Sequence, residues 1–107
     1  MFYHEKKALQ KIASNLRKKL PNRVLFVFAF GSRVRGDHDV WSDFDVLIVV
    51  DRKGRRIEDK IMDIIVREEL KANIFFTPII KERTAFELEK KYNTPFYRNI
   101  VNEGISL

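Results

Sequence analysis

Val24-Leu25-Phe26-Val27-Phe28-Ala29-Phe30 is an unbroken apolar run that stops at Gly31. Successive side chains of a strand point to opposite faces, so a run with no polar member reads as a strand buried on both sides. A second strand follows a polar stretch: Asp43-Phe44-Asp45-Val46-Leu47-Ile48-Val49-Val50, whose last five residues are again all apolar. Ile74-Phe75-Phe76-Thr77-Pro78-Ile79-Ile80 reads as a third, and Pro78, which cannot donate to a ladder, puts it at a sheet edge or ends it.

Helical spacing fills the rest. Leu9, Ile12, Ala13, Leu16 and Leu20 recur on one face of a segment covering roughly residues 3–20, closed by Pro21 and Asn22. Ile57, Ile61, Ile64 and Ile65 do the same between about Arg56 and Leu70, after the turn signal Asp51-Arg52-Lys53-Gly54. A third helix starts near Thr84. Thr94-Pro95 supplies an N-cap followed by proline in the first helical position, and Gly104 a stop. The expected fold class is therefore α+β, an α/β sandwich in which a small sheet of three to four strands carries helices on one side. With 107 residues there is room for one such domain, spanning 1–107.

The residue inventory removes several chemistries. The chain has no Cys, so disulfide scaffolds, thiolate zinc sites and cysteine nucleophiles are excluded. His4 and His38 cannot build an all-histidine metal site. No apolar run approaches the roughly 20 residues of a membrane span, and the start has no signal-peptide core. A soluble, cytoplasmic protein is expected. Lys and Arg exceed Asp and Glu by 21 to 15, a net +6, which suits a phosphate-bearing or polyanionic partner and equally serves solubility.

The chemistry concentrates between Gly31 and Asp45. On a strand, Asp43 and Asp45 project to the same face while Phe44 faces the opposite layer. Parallel carboxylates repel unless a divalent cation lies between them, and all-oxygen ligation suits Mg²⁺ or Mn²⁺. Taken alone, such a pair is common and is more often a set of exposed aspartates at the solvent-facing end of a strand. Gly31 lets the backbone turn tightly after a buried strand. The Ser32 hydroxyl and nearby amides could then hold phosphate oxygens, although a Gly-Ser after a strand is also an ordinary turn. Together the two features place a phosphate cradle beside a metal pair, as nucleoside triphosphate chemistry requires. Arg33 and Arg35 would neutralise phosphate charge there or remain solvated. Asp37 and Asp39 read as loop-stabilising groups, His38 as a loop residue, and Trp41 as a side chain packing that loop. The basic face of the first helix, including Lys7, Lys11 and Lys18, is solvated or docks RNA or an acidic partner.

Gly31-Ser32, ten residues, then Asp43-x-Asp45 resembles the signature of the nucleotidyltransferase superfamily that includes DNA polymerase beta. The small size resembles its minimal prokaryotic branch, to which the MntA antitoxins encoded beside HEPN-domain toxins belong. The likeness covers Val24 to about Leu107, including the ending Thr94-Pro95-Phe96-Tyr97-Arg98-Asn99-Ile100-Val101-Asn102-Glu103-Gly104-Ile105. It implies a nucleotidyltransferase fold with a small mixed sheet. It also implies that Gly31 and Ser32 bind the nucleotide, with Arg33 and Arg35 placed beside them as further candidate nucleotide-binding residues, and that Asp43 and Asp45 are catalytic and ligate Mg²⁺ or Mn²⁺. The reaction implied is transfer of AMP from ATP to a hydroxyl, on a HEPN-type toxin that the protein would neutralise.

Active relatives carry a third carboxylate on the next long strand. That strand lines up with Asn73 to Pro78, which puts Asn73 at the third catalytic position, with Glu68 and Glu69 nearby on the preceding helix. Asparagine offers a neutral oxygen but no base. A second reading follows: a weak or inactive nucleotide-binding protein that neutralises its partner by contact. A nucleic-acid binder using the net charge is a third, without a recognition motif to support it. So many Phe also leave room for a homo- or hetero-oligomeric interface.

Overall fold

The computed structural model describes residues 2–31 and 44–107. Helix α1 (Tyr3–Lys19) leads into strand β1 (Val24–Phe30), and strand β2 (Phe44–Val50) is followed by helix α2 (Arg55–Ala72). Strand β3 (Phe76–Glu82), helices α3 (Arg83–Lys91) and α4 (Pro95–Glu103) and the two-residue strand β4 (Ile105–Ser106) complete the order. The sheet runs β3-β2-β1-β4. β1 lies antiparallel to both β2 and β4, and β2 parallel to β3, so the sheet is mixed. β3 takes the edge position that Pro78 implied.

Helices cover both faces of the sheet, not one as the sequence reading expected. Phe44, Val46, Ile48 and Val50 of β2 join Val27 and Ala29 of β1 under α1 and α2. Leu47 and Val49 point the other way, packing with Phe28, Phe30 and Ile79 under Phe86 of α3 and Ile100 and Phe96 of α4. Every β2 residue from Val46 to Val50 is fully buried. The cause is the two-sided apolarity of β1 and β2, since a single helical layer would leave one apolar face in water. Truncating a central member such as Ile12, Leu47 or Ile61 costs about 2–5 kcal/mol by lost transfer energy and cavity formation.

Local chemistry sets the element ends. Glu5, buried in the first turn of α1, accepts from the Phe2 amide at 2.8 Å. The Thr94 hydroxyl caps α4 by accepting from the Tyr97 amide at 3.2 Å, with Pro95 following as expected. α2 runs to Ala72 and closes on Asn73, which sits in the left-handed region at φ 56° with its amide on the Glu69 carbonyl. β3 therefore begins later than the apolar run Ile74-Phe75 had implied. At the end of the β1–β2 pair remote from Gly31, Arg23 bonds the Asp51 carboxylate at 2.7 Å and the Arg52 carbonyl at 3.3 Å. Those bonds fix the β1 entry to the β2 exit.

Candidate functional site

β1 ends at Gly31, whose φ of 99° lies where L side chains are strained. A Cβ on Gly31 would run directly into the carboxylate of Asp45. The missing side chain thus opens the space that this carboxylate occupies at the mouth of the β1–β2 pair. Asp45 is the register partner of Phe30 on β1 and of Thr77 on β3, which places it between its two neighbouring strands. Phe44, fully buried beneath α1 and α2, fixes the strand's phase and turns Asp45 to the α3–α4 face, where it is half-buried. The expectation that Phe44 and its flanking aspartates face opposite layers holds for the described Asp45.

Gly31 and Asp45 are thus brought together. Ser32, Arg33, Arg35, Asp37, His38, Asp39, Trp41 and Asp43 lie outside the described residues. Asn73 is not brought onto the strand: it is the C-cap of α2, three positions before β3 begins. The residues that lie beside the start of β2 are others: Phe75, just before β3, and Phe76 and Thr77 within it. The Phe44 amide donates to the Phe75 carbonyl at 3.1 Å, and Phe76 and Thr77 pair with Phe44 and Asp45. Ile74 and Phe76 both enter the α1–α2 core, so strand alternation turns Phe75 to the face of Asp45, where it is 68% exposed. Neither Phe75 nor Thr77 is acidic. Glu69 accepts from the Phe76 amide at 3.1 Å and fixes the start of β3, while Glu68 turns into the α1–α2 layer.

Sequence reasoning missed Phe75 and Thr77 because their role depends on the β2–β3 register, which no local pattern reports. It also missed Lys81. On the same face, Lys81 Nζ stands 2.9 Å from Glu89 Oε2 and 4.8 Å from the centroid of the Phe96 ring. Phe96 in turn meets Phe30 edge-on at 5.8 Å. The Lys81–Glu89 contact is Coulombic, since Oε2 makes no directed hydrogen bond; Oε1 takes the Thr94 hydroxyl at 3.1 Å. This chain of contacts seats the α4 N-terminus over the strand end that carries Gly31.

The half-buried Asp45 carboxylate, with one oxygen standing where a Gly31 Cβ would be, is a hard oxygen donor of the type divalent cations take. Among the described residues no group of three or more His, Cys, Asp or Glu assembles that could hold a metal.

The model for a nucleotidyltransferase domain matches residues 9–106. The chain belongs to the nucleotidyltransferase-domain family. Two candidate protein adenylyltransferases of Methanocaldococcus jannaschii are similar to this nucleotidyltransferase domain along nearly their whole length. One is 33% identical over 101 residues, covering 94% of this chain and 95% of the relative. The other is 34% identical over 102 residues, covering 94% and 93%. Among solved structures, a candidate nucleotidyltransferase from Sulfolobus solfataricus superposes with a TM-score of 0.54 at 23% identity, over 94% of this chain and 76% of that one. A toxin–antitoxin structure with AMP-PNP gives a TM-score of 0.56 at 11% identity, over 98% and 72%. At those identities the two structures show a shared fold. No described helix is long and apolar enough to cross a membrane.

Proposed function

We propose that this nucleotidyltransferase domain transfers AMP from ATP to a hydroxyl of a partner protein, and that the partner is a HEPN-type toxin. The observation that carries the reading is the closure of Gly31 on the Asp45 carboxylate. It sets a glycine, where the backbone can approach a phosphate closely, against a carboxylate of the kind that ligates divalent cations. The two similar adenylyltransferases support protein as the acceptor class, and the toxin–antitoxin neighbour with AMP-PNP supports a toxin and an adenine nucleotide.

In this mechanism Gly31 and Ser32 bind the β- and γ-phosphates through backbone amides and a hydroxyl. Arg33 and Arg35 neutralise the remaining charge. Asp43 and Asp45 would hold Mg²⁺, which supplies Lewis-acid stabilisation of the pentavalent transition state and of the leaving pyrophosphate. The acceptor oxygen attacks the α-phosphorus, the bond to the bridging oxygen breaks, and the acceptor's proton passes to solvent or to a partner base. Phe75 and Thr77 offer no base, so among the described residues beside Asp45 the contribution is positioning and charge, not proton transfer.

The lack of an acid at Phe76 and Thr77, the β3 positions paired with Phe44 and Asp45, favours a second reading, in which the nucleotide stays bound and the partner is masked by contact. Incubation with the toxin and ATP labelled at the α-phosphate separates the two. Covalent label on the toxin, lost in Asp45→Asn, supports transfer. Neutralised toxin without label supports masking.

A further inference from the structure

Ala8 on α1 and Ala72 on α2 leave a cleft of about 190 Å³ between the two helices, in the layer on the far side of the sheet from Asp45. Glu68 lines this cleft although it is only 4% exposed, and among the described residues no hydrogen bond or ion pair reaches its carboxylate. Lys7, Lys11 and Lys71 line the same cleft from the two helices. With no donor from the described residues on it, the Glu68 carboxylate is an unused acceptor for a donor bound in the cleft. The surrounding ammonium groups make the opening cationic, so a second cation is a poor occupant and an anion a good one. The two demands fit one ligand only if it joins an anionic group to neutral hydroxyl donors.

We propose that the α1–α2 cleft binds a ribose phosphate, with the phosphate on Lys7, Lys11 and Lys71 and the vicinal ribose hydroxyls donating to Glu68. A carboxylate accepts two hydroxyl protons side by side, which a cis-diol supplies and phosphate alone does not. The cleft volume matches one sugar phosphate and leaves a base outside. Ribose phosphate is the unit shared by free ribonucleotides and RNA. The site is separate from the Gly31–Asp45 cradle and does not depend on the function proposed there.

The test is a ¹⁵N-resolved titration of the intact chain with ribose 5-phosphate, 2-deoxyribose 5-phosphate and inorganic phosphate, repeated in Asp45→Asn to blank the cradle. Saturating shifts are expected at the amides of Lys7, Lys11, Glu68 and Lys71 in both proteins, with ribose bound about tenfold tighter than deoxyribose. Glu68→Met removes the acceptor and should erase that preference while phosphate binding persists. Lys7→Ala with Lys71→Ala should weaken all three ligands about tenfold. Shifts confined to the Gly31 end, equal binding of the two sugars, or a preference that survives Glu68→Met would each overturn the proposal. AMP and a short single-stranded RNA then assign the source: tighter RNA binding at the same amides names RNA, and equal or weaker binding names the free nucleotide.

Discussion

Gly31 and Asp45 occupy one another's space: the glycine's missing Cβ is the room in which the Asp45 carboxylate stands, and its φ of 99° brings the chain there. Phe30 and Asp45 are register partners, and the positive φ of Gly31, the next residue, aims its missing Cβ at the Asp45 carboxylate, where regular strand alternation would have aimed it at the other face. A conformational peculiarity of one residue thereby sets the geometry of the site proposed to bind the nucleotide.

Gly31→Ala should therefore damage the domain twice. The positive φ costs about 1–2 kcal/mol with any L side chain. The new methyl group also displaces the carboxylate, so nucleotide affinity should fall more than the stability loss explains. Thermal melting and ATP titration on the same sample check both. Unchanged affinity in a folded variant would show that the carboxylate does not need this position.

Asp45→Asn keeps the side chain's shape and removes its charge. The protein should fold with little change in melting temperature, since the core below Asp45 is the buried run Val46–Val50. Transfer of AMP should drop at least about a hundredfold, the scale of losing a principal electrostatic stabiliser in the transition state.

Register makes a contrasting pair of predictions for β3. Phe75→Asp puts a carboxylate on the face of Asp45 at the start of β2, and should raise a slow transfer rate about tenfold or more by adding a base or metal ligand. Asn73→Asp changes the C-cap of α2 and should leave the rate where it was. A gain from Asn73→Asp with none from Phe75→Asp would restore the alignment that places Asn73 at the third position.

Lys81→Met should lower stability by about 1–2 kcal/mol, less than for a fully buried pair because both partners keep some solvent contact. The loss leaves Glu89 without its cation beneath Phe96, and Glu89→Gln in the same chain should recover much of it. Denaturant melts of the single and double variants measure the coupling.

Much of this architecture is legible in the residues. The period of α1, the Thr94-Pro95 cap and the edge position of Pro78 all follow from local chemistry. The two-sided apolarity of β1 and β2 already demanded cover on both faces, although a one-sided sandwich was expected. The start of β3 was not legible: Ile74 and Phe75 look like strand, yet Asn73 must first close α2 in a left-handed turn. Nor can β4 be read, because two residues hold no period. At the site, Gly31 and Asp45 were visible as a motif. Phe75, Thr77 and Lys81 were not, because they meet the site through register and packing.

Asp51 provides a pH prediction at the opposite end of the sheet. The Arg23 guanidinium hydrogen-bonded to Asp51 holds its carboxyl below the usual carboxylate range. A depressed folded value means stability that is fully present above the unfolded pKa and is lost as pH falls through the folded one. The melting-temperature gap between the parent and Arg23→Met should be constant above about pH 5 and shrink below about pH 4.

Gly31 and Asp45 are proposed to build a nucleotide site that works with a divalent cation. Calorimetric titration with ATP, with and without Mg²⁺, in the parent chain and in Asp45→Asn tests it most directly. The account predicts saturable binding that requires Mg²⁺ and disappears in the variant. Binding that ignores the cation and the substitution, or no binding to the parent chain, would contradict it.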